Sequence, residues 1–457
     1  MSSGPKKATS KRKPAISTDK VPPAYFLSLG VENVLCFKNL QVLHLSDNDG
    51  NPAQWTVILG NNGVGKTTLL RCLAGMEVKI DNLSDEEELA FPLFFLCDSS
   101  SLLMWRDLEI LEGEGAEIHA NLACGLSLTS LKKVASKQET RFKSQECSVQ
   151  VNSSSDSLWE ARGLMCYGYG ATRNLGETSL SESLDLENSA SLFSEKAHLI
   201  NAEEWLLQTD YAARSASGKT RDRLEKQLHQ IIEVLKRILP DIQDIRIAPA
   251  DENILRPRAE FLTPYGWVHL SSLGLGYRTA IAWMVDLAVR LFRRYPDSED
   301  PLAEPAIVLV DEIDLHLHPK WQRNIMNFLT ERFPNTQFIV TAHSPLVVQA
   351  AKDANIVLLR REGDRVVIDN NPEIVENWRV DQVLTSVFEL PTARPADLEP
   401  LLTRRQELLS KARLSKADKA ELQELEAQIG SLPTAETPED IKAMDIIRRA
   451  AKLLENS

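Results

Sequence analysis

Residues 60 to 67 read Gly-Asn-Asn-Gly-Val-Gly-Lys-Thr, an order of residue types suited to holding a polyphosphate. Gly60, Gly63 and Gly65 let the main chain, including Asn61, Asn62 and Val64, turn its N–H groups toward phosphate oxygens. Lys66 brings a full positive charge to the β- and γ-phosphates of ATP, Thr67 offers a hydroxyl to Mg2+, and Thr68 continues the helix whose N-terminus faces the anion. The apolar run Trp55–Leu59 precedes the glycines, and Leu69, Leu70 and Leu73 follow them. This is the strand, turn and helix start that the motif requires.

A second set of residues matches the first. Ile307-Val308-Leu309-Val310 is a buried-strand run ending in Asp311-Glu312, where Asp311 can hold magnesium through water and Glu312 can orient and deprotonate an attacking water. His343 stands just past another apolar strand, in Val340-Thr341-Ala342-His343-Ser344-Pro345, within reach of a γ-phosphate. The expected chemistry is ATP hydrolysis, with Lys66, Glu312 and His343 as its catalytic groups and Thr67 and Asp311 as its metal ligands.

Together, Gly60–Thr67, Asp311-Glu312 and His343 resemble the ATP-binding-cassette superclass of P-loop ATPases. The phrase from Asp311 to Gln322, with His316-Leu317-His318-Pro319 inside it, looks like the overcoming-lysogenisation-defect branch and its defence-associated relatives. The resemblance implies a loop after the catalytic glutamate that contacts a partner subunit. It also implies a signature turn at a helix N-terminus that binds the γ-phosphate held by the other protomer. The candidate is Leu270 to Arg278, with two registers open: Ser272 with Gly274, or Gly274 with Gly276. Tyr167-Gly168-Tyr169-Gly170-Ala171-Thr172-Arg173, Trp205-Leu206, Gly276-Tyr277-Arg278 and the stretch from Trp378 to Phe388 are similar to the ATPase subunits of Septu and retron-linked systems. Arg173 fits a phosphate or DNA contact and also a structural arginine. A zinc reading of His316 and His318 lacks a third ligand nearby. Leu358–Asp364 faintly echoes the start of a Toprim nuclease domain, but the turn between two strands is the preferred reading.

The elements that must position these residues form an α/β fold, an ATP-binding-cassette-type head with a largely parallel P-loop sheet, helices and an antiparallel β lobe. Tyr25–Leu29 and Asn39–Leu45 alternate like paired strands. A mixed insertion is expected over about 77–240; it includes the hard-to-parse runs Phe91–Leu96, Asp85–Glu88 and Ser153–Ser157. Its helical end carries Leu224, Leu228, Ile231, Ile232, Leu235, Ile238 and Leu239 before Pro240. No sustained heptads suggest a long coiled-coil arm. Strands are predicted at Asp244–Ile247, Ala259–Leu262, Trp267–Leu270, Gln337–Val340, Asn355–Leu359 and Arg365–Ile368, with a helix over Arg278–Leu291. The expected boundaries are a disordered basic tail at 1–22, the head at 23–390 and a helical C-terminal interaction region at 391–457. That last region contains a charged helical stretch at 397–430, a linker at Pro433–Pro438 and a final helix at Ile441–Leu454.

Bulk properties narrow the choice further. The chain has 457 residues, 43% hydrophobic and 26% charged, as in an ordinary globular protein. Its net charge of −13 repels nucleic acid and anionic membrane as a whole, so any such contact needs a local basic patch. Its six scattered cysteines have no Cys-x-x-Cys spacing and read as reduced thiols. The absence of a secretory pattern and of a bilayer-length apolar run predicts a cytoplasmic protein without a membrane contact. By resemblance, the expected function is a switch in which two heads, in a homodimer or higher oligomer, sandwich ATP. That switch would control an HNH-type effector nuclease in bacterial antiphage defence, in response to DNA or a phage-derived trigger. The competing readings are a DNA-binding repair clamp without a nuclease partner and a nuclease of the overcoming-lysogenisation-defect type.

Overall fold

Uninterrupted aliphatic runs supply the most deeply placed strands. The structure is a computed structural model describing residues 23–77, 116–124, 127–136, 146–152, 164–173, 188–239, 241–252, 254–372, 379–388, 390, 398–409 and 415–429. The chain divides into two compact units, Met1–Trp378 and Arg379–Ser457. In order, the first unit contains β1 (Ala24–Glu32), β2 (Gln41–His44), β3 (Trp55–Gly60), α1 (Lys66–Ala74), β4 (Ala116–Cys124), β5 (Ser127–Ser136), β6 (Glu146–Asn152) and β7 (Cys166–Tyr169). It continues with α2 (Ala202–Ser215), α3 (Gly218–Ile238), β8 (Asp244–Ala248), β9 (Arg258–Thr263), β10 (Gly266–His269) and α4 (Leu275–Arg294). Then come β11 (Ala306–Val310), α5 (Ile325–Arg332), β12 (Thr336–Thr341), α6 (Pro345–Ala350), β13 (Asn355–Glu362) and β14 (Arg365–Asp369).

The central sheet has six strands in the order β14-β13-β3-β12-β11-β7, all parallel except β14 at one edge. Every residue of β3, β11 and β12 is buried, which is why these strands read as continuous apolar runs without alternation. A second, antiparallel sheet runs β2-β1-β4-β5-β6. Leu29, Val31 and Leu43 from it join Leu69, Leu70 and Leu73 of α1 in one buried cluster. Gln337 of β12 ties the sheets together, accepting from Phe26 N at 2.9 Å and donating to Phe26 O at 2.8 Å.

The stretch expected as a mixed insertion has a more definite role. Its strands β4, β5 and β6 extend the sheet that β1 begins, and β7 enters the central sheet beside β11. The β7 segment is short and glycine-bearing because the turn Ala190–Phe193 lies directly on it. A Cβ at Gly168 would sit 2.8 Å from Ser189 Cβ, and one at Gly170 would sit 2.2 Å from Ser191 O.

The helical stretch between Asn201 and Leu239, open from sequence to one helix or two, forms two, α2 and α3, which pack together, and the predicted stripe from Leu224 falls on α3. Along α3 the buried residues are Ile231, Val234, Leu235 and Ile238, the spacing of a single helix face. Helix α4 is buried at every position from Thr279 to Phe292, and its charged pair Asp286–Arg290 is matched internally at 2.7 Å. Leu358–Asp364 lies in the β13–β14 hairpin, the turn preferred from sequence.

The second unit contains α7 (Val380–Ser386), α8 (Glu399–Leu409) and α9 (Lys416–Ile429). Helices α8 and α9 pack together, with Leu408 and Leu425 buried and Arg404 forked onto Glu421 at 2.7 and 3.1 Å. The predicted tail 1–22, the runs at 85–88, 91–96 and 153–157, the linker at 433–438 and the helix at 441–454 lie outside the described residues. Among the described residues, no helix is long and apolar enough to cross a membrane.

Candidate functional site

The glycine loop leaves β3 and enters α1 through Gly65, the helix N-cap, with φ +89°. Gly60 and Gly63 also have positive φ, at 144° and 77°. Glycine is needed at two of these positions for space as well as for φ. A Cβ at Gly60 would lie 2.7 Å from Leu359 O, and one at Gly65 would lie 2.7 Å from Cys36 Sγ and 2.8 Å from the Phe37 ring. Asn61, Asn62 and Gly63 form the exposed tip, while Val64 is buried beneath. No acidic residue occupies the first turn of α1, so nothing there opposes an anion at the helix N-terminus.

Lys66 is buried, and its Nζ donates to the carbonyls of Gly60 and Asn61, both at 2.8 Å. Burial lowers its pKa, partly offset by Asp311, Glu312 and Asp314. The helix is joined to the carboxylate strand at one point, where Thr67 Oγ1 donates to Asp311 Oδ2 at 2.6 Å. The other Asp311 oxygen accepts from Thr341 Oγ1 at 2.6 Å, and that hydroxyl in turn accepts from Glu312 N at 2.7 Å. Asp311, only 6% exposed, thus has a hydroxyl on each oxygen.

The chain beyond Asp311 is held by contacts that sequence reasoning did not foresee. Glu312 and His316 take positive φ, 48° and 63°, which few non-glycine residues adopt. Arg173 Nη2 donates to Glu312 O at 2.6 Å. The backbone N–H of His343 donates to Asp314 Oδ2 at 3.1 Å. Gln322 donates to the carbonyls of Asp314 and Leu317 at 3.2 and 3.1 Å and accepts from Ser344 Oγ at 2.7 Å. Thr341, Asp314 and Gln322 therefore fasten the loop after β11 to the loop after β12. Thr341 and Asp314 were visible as polar residues beside Asp-Glu and Ala-His; the parallel register of β11 and β12 makes them neighbours.

At the signature candidate, Leu270–Ser272 is a 3-10 turn and Gly274 is the N-cap of α4. The N–H groups opening this helix belong to Leu275, Gly276 and Tyr277, and Ser272 stands two residues ahead in the exposed turn. Gly276 is pressed on the loop that follows Glu312: a Cβ there would meet His316 O at 2.2 Å. Tyr277 stacks edge-on against Trp321 at 4.7 Å and donates to Asp241 at 2.7 Å. His318 caps a helical turn by accepting from Lys320 N at 3.3 Å. Among the described residues no group of three His, Cys, Asp or Glu side chains gathers as metal ligands.

The hydroxyl of Thr67 bonded to the carboxylate of Asp311, beside a buried lysine at a helix N-terminus, is a donor set that fits a magnesium–nucleotide complex. Residues 167–349, from β7 through β11 and β12, match the family described as "AAA domain, putative AbiEii toxin, Type IV TA system". Over those residues the chain is similar to an AAA-type ATPase domain. The chain is 35% identical over 174 residues to "Retron Ec83 probable ATPase" of Escherichia coli, an alignment covering 38% of this chain and 30% of that protein. It is 25% identical over 410 residues to "Septu protein PtuA" of Bacillus mycoides (strain KBAB4), covering 87% of this chain and 49% of that protein. The chain thus spans less than half the length of either relative. Among solved structures it is similar to "Crystal structure of the SmcHead bound to the C-winged helix domain of ScpA", with a TM-score of 0.44 and 14% identity over 76% of this chain and 97% of that one.

Proposed function

We propose that the protein binds and hydrolyses ATP as a dimeric switch that controls an effector nuclease in antiphage defence. The observation that carries the ATPase half is the 2.6 Å bond from Thr67 to Asp311, which joins the phosphate-loop helix to the carboxylate strand in a chain with the residues for both halves of the site. In this reading Gly60, Asn61, Asn62, Gly63, Val64, Gly65, Lys66, Thr67 and Thr68 cradle the phosphates, and Lys66 leaves its loop carbonyls for the β- and γ-oxygens. Thr67 and Asp311 hold Mg2+, which when bound neutralises charge on the β- and γ-phosphates. Glu312 takes the proton of the attacking water as its oxygen joins the γ-phosphorus and the bridging bond to the β-phosphate breaks, leaving ADP and inorganic phosphate. His343, anchored through its backbone to Asp314, stabilises charge on the γ-phosphate.

The exposed start of α4 is the surface we assign to the partner copy's nucleotide. Gly274 and Leu275 are exposed there, with Leu275 at 55%, and the N–H groups of Leu275 and Gly276 lead the helix. With Gly274 at the N-cap, we favour the Gly274–Gly276 register for the backbone donors, with Ser272 in the turn just ahead of them. ATP then acts as a removable bridge between two heads, and its hydrolysis separates them. The nuclease partner is what the resemblance to Septu and retron-linked ATPase subunits implies, and we assign the helices after residue 379 as the docking element.

The test is Glu312→Gln with Lys66→Ala as its counterpart. Glu312→Gln should slow turnover by roughly 10²–10⁴ and accumulate ATP-loaded dimers on light scattering, while Lys66→Ala should lose nucleotide binding and remain monomeric with ATP. Wild-type turnover by Glu312→Gln would remove the assignment. Co-purification of a neighbouring HNH-type nuclease with the full chain tests the partner, and a permease in its place would refute it.

A further inference from the structure

Arg173, which the sequence leaves open between a phosphate or DNA contact and a structural arginine, is a buried charge in the first unit. It follows β7 by four residues, is 2% exposed and has φ +34°, a left-handed conformation for a long side chain. Its Nη2 donates at 2.6 Å to the carbonyl of Glu312, itself held at φ +48°. Its Nε is buried without a hydrogen-bond partner. Burial draws its pKa down to about 10, against the pull of Asp311, Asp314 and Glu312, so the guanidinium stays charged at neutral pH. A buried cation persists in a fold only where neighbouring charge and hydrogen bonds hold it. Here those neighbours are the carboxylates of the turn that carries Glu312.

Two strands meet at this contact. β7 and β11 pair in parallel with Tyr169 opposite Val310, and Asp311 N continues the ladder to Tyr169 O at 2.8 Å. The chains leaving both strands therefore begin side by side, and the guanidinium reaches across to the first residue after Asp311. The bond is to a carbonyl, so it constrains the Glu312 backbone and leaves the carboxylate unengaged by Arg173. An arginine serving only to neutralise Asp311 or Asp314 would not need that acceptor.

We propose that Arg173 is a positioning residue for ATP hydrolysis: by gripping the Glu312 carbonyl it fixes the left-handed turn that sets the direction of the Glu312 carboxylate. The inference rests on the reading of Glu312 as the group that takes the proton from water. Lysine at 173 keeps the charge but presents no planar fork, and methionine keeps the bulk and loses both.

The test measures nucleotide affinity, single-turnover rate and thermal midpoint for Arg173→Lys, Arg173→Met, Glu312→Gln and the double variant Arg173→Met/Glu312→Gln, in the full chain. Arg173→Met should hydrolyse about 10–100-fold more slowly with nucleotide affinity within about threefold of wild type, and Arg173→Lys should fall between the two. The double variant should be no slower than Glu312→Gln alone, because a residue acting through Glu312 has nothing left to position. Multiplying defects in the double variant, or affinity falling in parallel with rate, would overturn the proposal. If Arg173→Met does not fold, Arg173→Lys carries the test: a folded protein with wild-type rate overturns it. A slowed Glu312→Gln beside a wild-type Arg173→Met sinks this inference alone, whereas a wild-type Glu312→Gln sinks the reading beneath it.

Discussion

At the residue scale, the site depends on hydroxyls as much as on carboxylates. Thr341 Oγ1 both donates to Asp311 and accepts from the Glu312 N–H, so one atom sets the relation between the proposed metal ligand and the proposed base. Thr341→Val keeps the shape of a buried strand residue and removes both bonds. Each lost buried hydrogen bond costs about 1–3 kcal/mol, so kcat should fall by about tenfold or more with a smaller change in ATP affinity. Steady-state kinetics beside a nucleotide titration would check this, and an unchanged kcat would show that Thr341 is only a core residue. Cys36 and Phe37 illustrate the same dependence on close packing: they fill the space where Gly65 has no side chain, so Gly65→Ala should abolish nucleotide binding.

At the element scale, the N-terminus of α4 and the loop after β11 form one joint. Gly276 rests on the His316 carbonyl, while the space around a Cβ at Gly274 is open apart from Tyr277 Cδ2 at 3.9 Å. The two glycines should therefore respond differently. Gly276→Ala forces a backbone oxygen to move and should cost about 1–3 kcal/mol, read as a lower thermal midpoint. Gly274→Ala should cost less than about 1 kcal/mol, the lost N-cap preference of glycine over alanine with no clash added. Equal midpoints for the two variants would mean that the joint is looser than the geometry requires. Gln322 braces the other side, and Gln322→Ala should lower kcat by about tenfold through loss of its bonds to Asp314, Leu317 and Ser344.

At the scale of the whole molecule, alkaline stability reports the buried tyrosines. Burial pushes the Tyr25 hydroxyl up to about 12, with Tyr295 nearby adding to the rise, and burial also raises Tyr167 and Tyr169. These groups titrate higher in the folded chain than their ordinary 10.0, so the folded state keeps protons that the unfolded state releases. For Tyr25 the stabilisation is complete below pH 10.0 and is lost as pH rises through about 12, while Tyr167 and Tyr169 keep theirs to higher pH. Thermal midpoints should therefore fall in that window, together with a rise in tyrosinate absorbance. A thermal midpoint that stays level from pH 10.0 through about 12 would contradict the burial of these rings.

The phosphate loop, the Asp311-Glu312 strand end and the α/β alternation were legible because each is a local demand written in adjacent residues. Positive φ calls for Gly60, Gly63 and Gly65, and strands covered on both faces call for unbroken aliphatic runs. The place of β4 was not legible because it pairs on one side with β1, more than eighty positions earlier, and a chain read in order carries no record of that pairing. The roles of Arg173, Thr341 and Gln322 were hidden for the same reason. Their bonds exist because β7, β11 and β12 lie side by side in a set register, which folding establishes between segments that are strangers in sequence.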